Sequence, residues 1–290
     1  MTTPSEWMAG ARPRTLPAAA TPVLVGTGAA AQVGGAQLGR AVLALGVALA
    51  LQVGVNFAND YSDGIRGTDL ERVGPMRLTA SGAARPGHVK AAAFAAFGVA
   101  ALLGLWLVIL SGQYWLLAVG ALCILAAWYY TGGRHPYGYR GLGEVGVFVF
   151  FGLVAVLGTT YTQAGELPWT AWVGAVAVGL LACALLMVNN LRDVPTDAVA
   201  GKRTLAVRLG EHRARQLYGV LVVVPILLGM VCAVEAIWAL LVTVLLAPAI
   251  VLAVIVRLGA RGRALIPVLA TTGLLELGFG FLLGLGLAIG

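Results

Sequence analysis

Charge is scarce in this sequence. Asp, Glu, Lys and Arg make up 11% of its 290 residues, less than half the roughly 25% of a soluble domain, which excludes an ordinary water-soluble enzyme or binding module. Cysteine is scarcer still: Cys123, Cys183 and Cys232 sit singly in apolar stretches, leaving neither a disulfide framework nor a zinc spacing. Three isolated histidines, His88, His135 and His212, offer no metal-ligand pattern either. A signal peptide is also missing from the reading, because Met1 to Arg14 carries Pro4 and Glu6 and has no short apolar core, so it is taken as a cytoplasmic lead-in. What fills the chain is hydrophobic, at 60% of residues with mean hydropathy +0.91 and 40 glycines. With no Gly-X-Y period, this composition specifies an all-α multi-pass membrane protein whose small residues let helices approach closely in lipid.

Hydropathy places about nine spans of some 20 residues each, at 17–33, 41–58, 91–110, 114–130, 145–161, 169–188, 217–234, 237–256 and 265–289. With the N-terminus on the cytoplasmic side, Arg40 is the only basic residue outside. That asymmetry fixes the orientation in the cell membrane and accounts for the net charge of +7 without a nucleic-acid partner. The outer connections are short turns. Two inner ones, Tyr61 to Lys90 and Leu191 to Glu211, are long and polar, as functional loops are.

All five aspartates fall at these two places: Asp60, Asp63 and Asp69 in the first, Asp193 and Asp197 in the second. Three- and four-residue spacings put Asp60 with Asp63, and Asp193 with Asp197, on common faces at helix ends. Paired carboxylates suit Mg²⁺, which prefers oxygen ligands and is usually shared with substrate phosphates. The neighbouring Arg66, Arg77, Lys202 and Arg203 are placed to hold phosphate oxygens. A diphosphate satisfies both halves. The clusters also resemble one another, with Asn56 and Asp60 aligning with Asn189 and Asp193 at an offset of four spans and the same direction. That is a parallel repeat of two four-helix units plus a ninth helix, with half-sites at 56–90 and 189–213 of a single domain spanning 1–290. Solvated helix ends carrying Asp and Asn for capping are the bland alternative. The restriction of every aspartate to these positions argues against it.

Other signals carry less. Gly141-Leu-Gly143-Glu-Val-Gly146 matches a dinucleotide-binding pattern in letters only, since a membrane span follows it. Glu276 stands alone inside the last span, where an ionisable residue is costly. Between Tyr129 and Arg140, aromatics and arginines gather at an inner helix end. An interfacial aromatic belt explains them. So does a site in which Arg134 and Arg140 meet a diphosphate or an aromatic acid while Tyr130 and Tyr139 shelter an allylic cation.

Taken end to end, the chain resembles the UbiA-type intramembrane aromatic prenyltransferases. The resemblance rests on Arg12-Pro-Arg-Thr-Leu-Pro17, Asn59-Asp-Tyr-Ser-Asp63 through Asp69, Arg72-Val-Gly-Pro-Met-Arg77, Tyr130-Thr-Gly-Gly, Pro136-Tyr-Gly-Tyr139 and Asn189-Asn-Leu-Arg-Asp193 through Thr204, several of which point to the naphthoate branch. It implies a ring of nine helices around a central cavity in the bilayer. It further implies Asp60, Asp63, Asp193 and Asp197 as Mg²⁺ ligands, with Asp69 as a further catalytic carboxylate that shares the role of Asp63 or accepts a proton, and Asn56, Arg66, Lys202 and Arg203 near the diphosphate. The implied activity is transfer of a polyprenyl group from polyprenyl diphosphate to 1,4-dihydroxy-2-naphthoate, with loss of diphosphate, CO₂ and a proton. A sibling acting on 4-hydroxybenzoate is the near alternative. A secondary transporter is the distant one, disfavoured because transporter sites lie near the midplane.

Overall fold

A computed structural model of the protein describes residues 2–68 and 76–290, and every regular element in them is helical. Asp69 and Arg72 lie outside the described residues. The elements are α1 (Pro4–Ala11), α2 (Leu16–Gln32), α3 (Leu38–Ile65), α4 (Pro86–Ser111), α5 (Leu116–Tyr129), α6 (Gly143–Ala164), α7 (Trp169–Val199), α8 (Leu205–Val234), α9 (Ile237–Arg257) and α10 (Leu265–Ile289).

Among the described residues, seven helices are long and apolar enough to cross a membrane: α3, α4, α6, α7, α8, α9 and the segment Gly262–Ile289 that ends in α10. The first and fourth of the nine expected spans are shorter helices, α2 with 17 residues and α5 with 14. At 1.5 Å per residue, α5 covers about 21 Å, less than the roughly 30 Å hydrocarbon core. Two ends differ from hydropathy in a way that matters for function. Both α3 and α7 continue as helix well past the end of the apolar run, through Ile65 and Val199. The aspartate clusters therefore ride on helical turns, and helix register decides which side chains meet.

Consecutive helices pack against one another, with α3 along α4 and α7 along α8, while α10 returns to lie along α2 and close the bundle. Close approach is achieved through glycine: a Cβ on Gly28 of α2 would stand 2.2 Å from the Gly284 carbonyl oxygen of α10, so these backbones touch directly. In α6, a π-helical stretch at Phe148–Val154 carries Gly152 against Gly179 of α7. Such stretches locally re-aim side chains; here Phe150 and Phe151 face inward.

The two ends of the bundle differ in chemistry. At one, Arg40 at the start of α3 donates to the Leu110 carbonyl at the end of α4 (2.6 Å) and to Thr162 at the end of α6 (3.0 Å). These are carbonyls left open at helix C-termini, where a cation is favoured. Every other described Lys and Arg belongs to the opposite end, with the aspartates.

Candidate functional site

At the aspartate end a cavity of about 280 Å³ opens among α2, α3, α5, α6 and α7. Its α3 wall is a stripe of Gln52, Asn56, Asn59 and Asp63, and its α7 wall includes Leu185, Asn189, Asp193 and Asp197. Each set repeats at three or four residues, the spacing that keeps side chains on one helical face. The sequence contains Asn-x-x-x-Asp in two registers on α3, Asn56/Asp60 and Asn59/Asp63. The cavity face pairs Asn59/Asp63 with Asn189/Asp193.

Asp60 is the correction to the expected ligand set. It is fully buried and does not line the cavity. Its two carboxylate oxygens accept hydrogen bonds from the backbone N–H groups of Leu78 and Thr79, both at 2.8 Å. One residue is a turn of about 100° on a helix; advancing from Asn59 to Asp60 is enough to swing the carboxylate off the cavity.

Asp63 sits between a cation and a hydroxyl. Lys202 Nζ lies 3.2 Å from one oxygen, and the Tyr139 hydroxyl donates to the other. The Tyr139 ring is flanked by two cations, with Lys202 at 4.7 Å and Arg66 at 5.4 Å from its centroid. Its electron-rich face thus meets resident cations. Burial, and then the Asp63 carboxylate, push the Tyr139 phenol above its ordinary range, which keeps it a neutral donor. Lys202 reaches this position because the chain turns just after α7 at Gly201, whose φ of +73° is the left-handed geometry that glycine supplies past a helix C-terminus. The Lys202 N–H then donates to the Asp197 carbonyl at 2.9 Å.

On α7, Arg192 grips Asp193 with two hydrogen bonds of 2.8 Å and reaches Asn189 Oδ1 at 2.9 Å. The Arg192 side chain is 3% exposed, so this charge-assisted fork is desolvated and rigid. Across the cavity, Arg12 is the only non-glycine residue at positive φ among the described residues, at 53°. That geometry stores of order 1–3 kcal/mol. Asn56 secures it by donating to the Ala11 carbonyl and to Thr15 Oγ1, both at 2.9 Å. The amide expected beside a diphosphate is thus engaged with the turn that presents Arg12 to the cavity.

Of the other expected site residues, Tyr130, Tyr139 and Lys202 line the cavity. Arg66, Arg203, Arg134 and Arg140 are exposed and do not. Arg66 donates to the carbonyls of Thr131 and Gly133, holding the turn after α5, and the Arg203 carbonyl accepts from Arg208 Nε at 3.2 Å. Lining residues with no site role assigned from the sequence include Arg12, Gln52, Asn59 and Asn190, together with Asn189, named there only as the repeat counterpart of Asn56. The signal for Asn59 and Asn189 was available, since each precedes an aspartate by one helical turn. The Gly141–Gly146 segment leads into α6 with no strand before it, and Gly146 packs on the Tyr137 ring. Glu276, fully buried in α10, lies off the cavity with no hydrogen-bond partner on either oxygen.

Among the described residues, no three His, Cys, Asp or Glu side chains form a metal cage on their own. The donors that the aspartate walls turn to the cavity are oxygens: the carboxylates of Asp63, Asp193 and Asp197 and the amides of Asn59 and Asn189, with the Cys123 thiol on the α5 wall. A hard, oxygen-only set of this kind, incomplete without a ligand that brings its own oxygens, fits Mg²⁺.

The chain belongs to the UbiA prenyltransferase family, whose profile matches residues 19–267. Among its relatives is a protein of Mycobacterium tuberculosis named 1,4-dihydroxy-2-naphthoate octaprenyltransferase, 54% identical over 286 residues that cover 99% of this chain and 98% of that one. An Escherichia coli protein of the same name is 42% identical over 221 residues, covering 74% of this chain and 72% of that one. The fold is shared with a UbiA homolog from Archaeoglobus fulgidus solved with GPP and Mg²⁺, at a TM-score of 0.65 and 16% identity over 96% of this chain and 98% of that one.

Proposed function

We propose that the protein transfers a polyprenyl group from its diphosphate to 1,4-dihydroxy-2-naphthoate. The observation that carries this reading is that the polar cavity adjoins a second one of about 360 Å³, lined almost wholly by apolar residues of α3, α4, α5 and α6. The two share Ala48, Leu51, Cys123, Phe150 and Ala155. Along α6 the joined wall runs from Gly146 to Thr162, about 24 Å at 1.5 Å per residue. A molecule with a strongly anionic head and a long hydrocarbon tail matches this pairing. The relatives named for octaprenyl transfer to the naphthoate favour that donor and acceptor for this chain.

Asp63, Asp193 and Asp197 would hold Mg²⁺, with Asn59 and Asn189 beside them. When bound, the ion supplies positive charge to the diphosphate oxygens. Lys202 and Arg77 line the same end and bring cations to the leaving group, while Arg192 and Tyr139 fix the carboxylates of Asp193 and Asp63 in place before substrate arrives. Preorganised charge of this sort lowers the barrier to breaking the allylic C–O bond, whose electron pair departs with diphosphate. Phe150, Phe151, Leu185 and Leu186 make the cavity's inner wall apolar and keep water from the electron-poor allylic carbon. A naphthoate ring carbon then forms the new C–C bond, and the ring regains aromaticity as the carboxyl group leaves as CO₂ and a proton. No protein nucleophile is required. The charge asymmetry supports a site on the cytoplasmic side of the cell membrane.

In detergent, with no gradient across any membrane, purified protein is expected to release inorganic diphosphate from a long-chain polyprenyl diphosphate only when the naphthoate and Mg²⁺ are both present. Release abolished by a chelator supports the reading. Absence of any release with aromatic acceptors would return the transporter.

A further inference from the structure

Asp60 is an acid beside the site, fully buried, off the cavity lining and with both oxygens bonded to backbone N–H groups. We infer that Asp60 is a positioning residue for Arg77 and takes no part in binding the metal. Its two oxygens hold the consecutive N–H groups of Leu78 and Thr79, each at 2.8 Å. A carboxylate accepting two backbone N–H groups is a strong, directional clamp. The residue immediately before the clamped pair is Arg77, which is buried and lines the cavity.

The far side of the clamped segment is held too. Leu78 is fully buried and packs so close to α1 that a Cβ on Gly10 would come within 2.5 Å of its side chain. Trp7 of α1 meets Phe57 of α3 edge-on at 5.6 Å, and the Thr2 hydroxyl donates to the Ala83 carbonyl at 2.7 Å. Asp60 from below and α1 from above thus fix the backbone on which Arg77 stands. The geometry divides the first motif between two tasks: Asn59 and Asp63 face the ligand, and Asp60, rotated away, sets the cation that meets the diphosphate.

This assignment rests on the transferase reading for what Arg77 contacts, but not for what Asp60 holds, and the experiment separates the two. In Asp60→Asn the side chain keeps one acceptor oxygen and gains an NH₂ that cannot accept, so one of the two amides loses its partner. Hydrogen exchange at Leu78 and Thr79 is expected to speed by about tenfold or more in Asp60→Asn and to stay unchanged in Asp63→Asn. That result is independent of any activity. In turnover, Asp60→Asn is expected to raise KM for polyprenyl diphosphate about tenfold while leaving the Mg²⁺ concentration for half-maximal rate within about twofold of wild type. Asp63→Asn is expected to raise the Mg²⁺ requirement. Arg77→Met reproduces the KM change without faster exchange at Leu78, and adding it to Asp60→Asn costs little more, because both remove the same contact. Unchanged exchange in Asp60→Asn, or a Mg²⁺ requirement that climbs as it does in Asp63→Asn, overturns the assignment. A wild type that releases no diphosphate while exchange behaves as described refutes the transferase reading and leaves the clamp standing.

Discussion

Asp193→Asn is expected to cut turnover by about 10²–10³-fold, the usual loss when one preorganised electrostatic group at a reacting centre is removed. The choice of asparagine matters. Alanine at this position would strand the Arg192 guanidinium, whose side chain is 3% exposed, and an uncompensated buried charge costs about 3–5 kcal/mol. Misfolding would then be confused with lost chemistry. Asparagine also lacks the charge but keeps the side-chain volume and one acceptor for the fork, so it disturbs Arg192 less than alanine while removing the negative charge proposed to meet Mg²⁺. Asp63→Asn should fall by a similar factor, since it leaves Lys202 without the anion 3.2 Å away. Steady-state kinetics across a Mg²⁺ series, with thermal unfolding in detergent as the folding control, checks both. Near-normal turnover in either variant would dissolve the opposed pair of half-sites.

The second large effect is expected at Gly158 of α6. This glycine lines the apolar cavity, and a Cβ there would meet nothing within 4 Å. Gly158→Leu therefore places a side chain in the channel without pressing on a neighbour, and a glycine-to-leucine change inside a helix favours the helix by up to about 1 kcal/mol. Turnover of geranyl diphosphate should stay within about threefold of wild type, while that of a long-chain polyprenyl diphosphate should drop by about tenfold or more, since filling a pocket discriminates by size. Gly120→Leu on α5 offers the same test from the opposite wall, being another cavity glycine whose added Cβ meets nothing. Equal losses on short and long donors would place the tail elsewhere.

The class of fold was legible because composition and apolar runs report burial in lipid directly. Helix ends were legible only where polarity and helix end coincide. On α3 and α7 they do not: hydropathy falls at Ala58 and Val188, yet the helices run on to Ile65 and Val199, with Asn59, Asp63, Asn189, Asp193 and Asp197 facing an internal cavity. The same fact explains the choice of register. Asn56/Asp60 and Asn59/Asp63 are equivalent as letters, and only the direction of each side chain around the helix separates the one that clamps Leu78 from the one that meets Lys202. Arginines were the hardest to read. Arg66, Arg134, Arg140 and Arg203 are close in sequence to the site but exposed, whereas Arg12, far from either aspartate cluster in sequence, is brought to the cavity by a left-handed turn tied to Asn56. Lys202 and Tyr139 were identified in the sequence, and the structure places both on Asp63.

The central claim is that this site joins a polyprenyl tail to the naphthoate ring. It is tested most directly by mass spectrometry of the products formed when purified protein receives a long-chain polyprenyl diphosphate, Mg²⁺ and equal amounts of 1,4-dihydroxy-2-naphthoate and 4-hydroxybenzoate, with a chelator control. A chelator-sensitive prenylated naphthalene product that has lost the carboxyl group is expected. A prenylated benzoate as the sole product would contradict the claim.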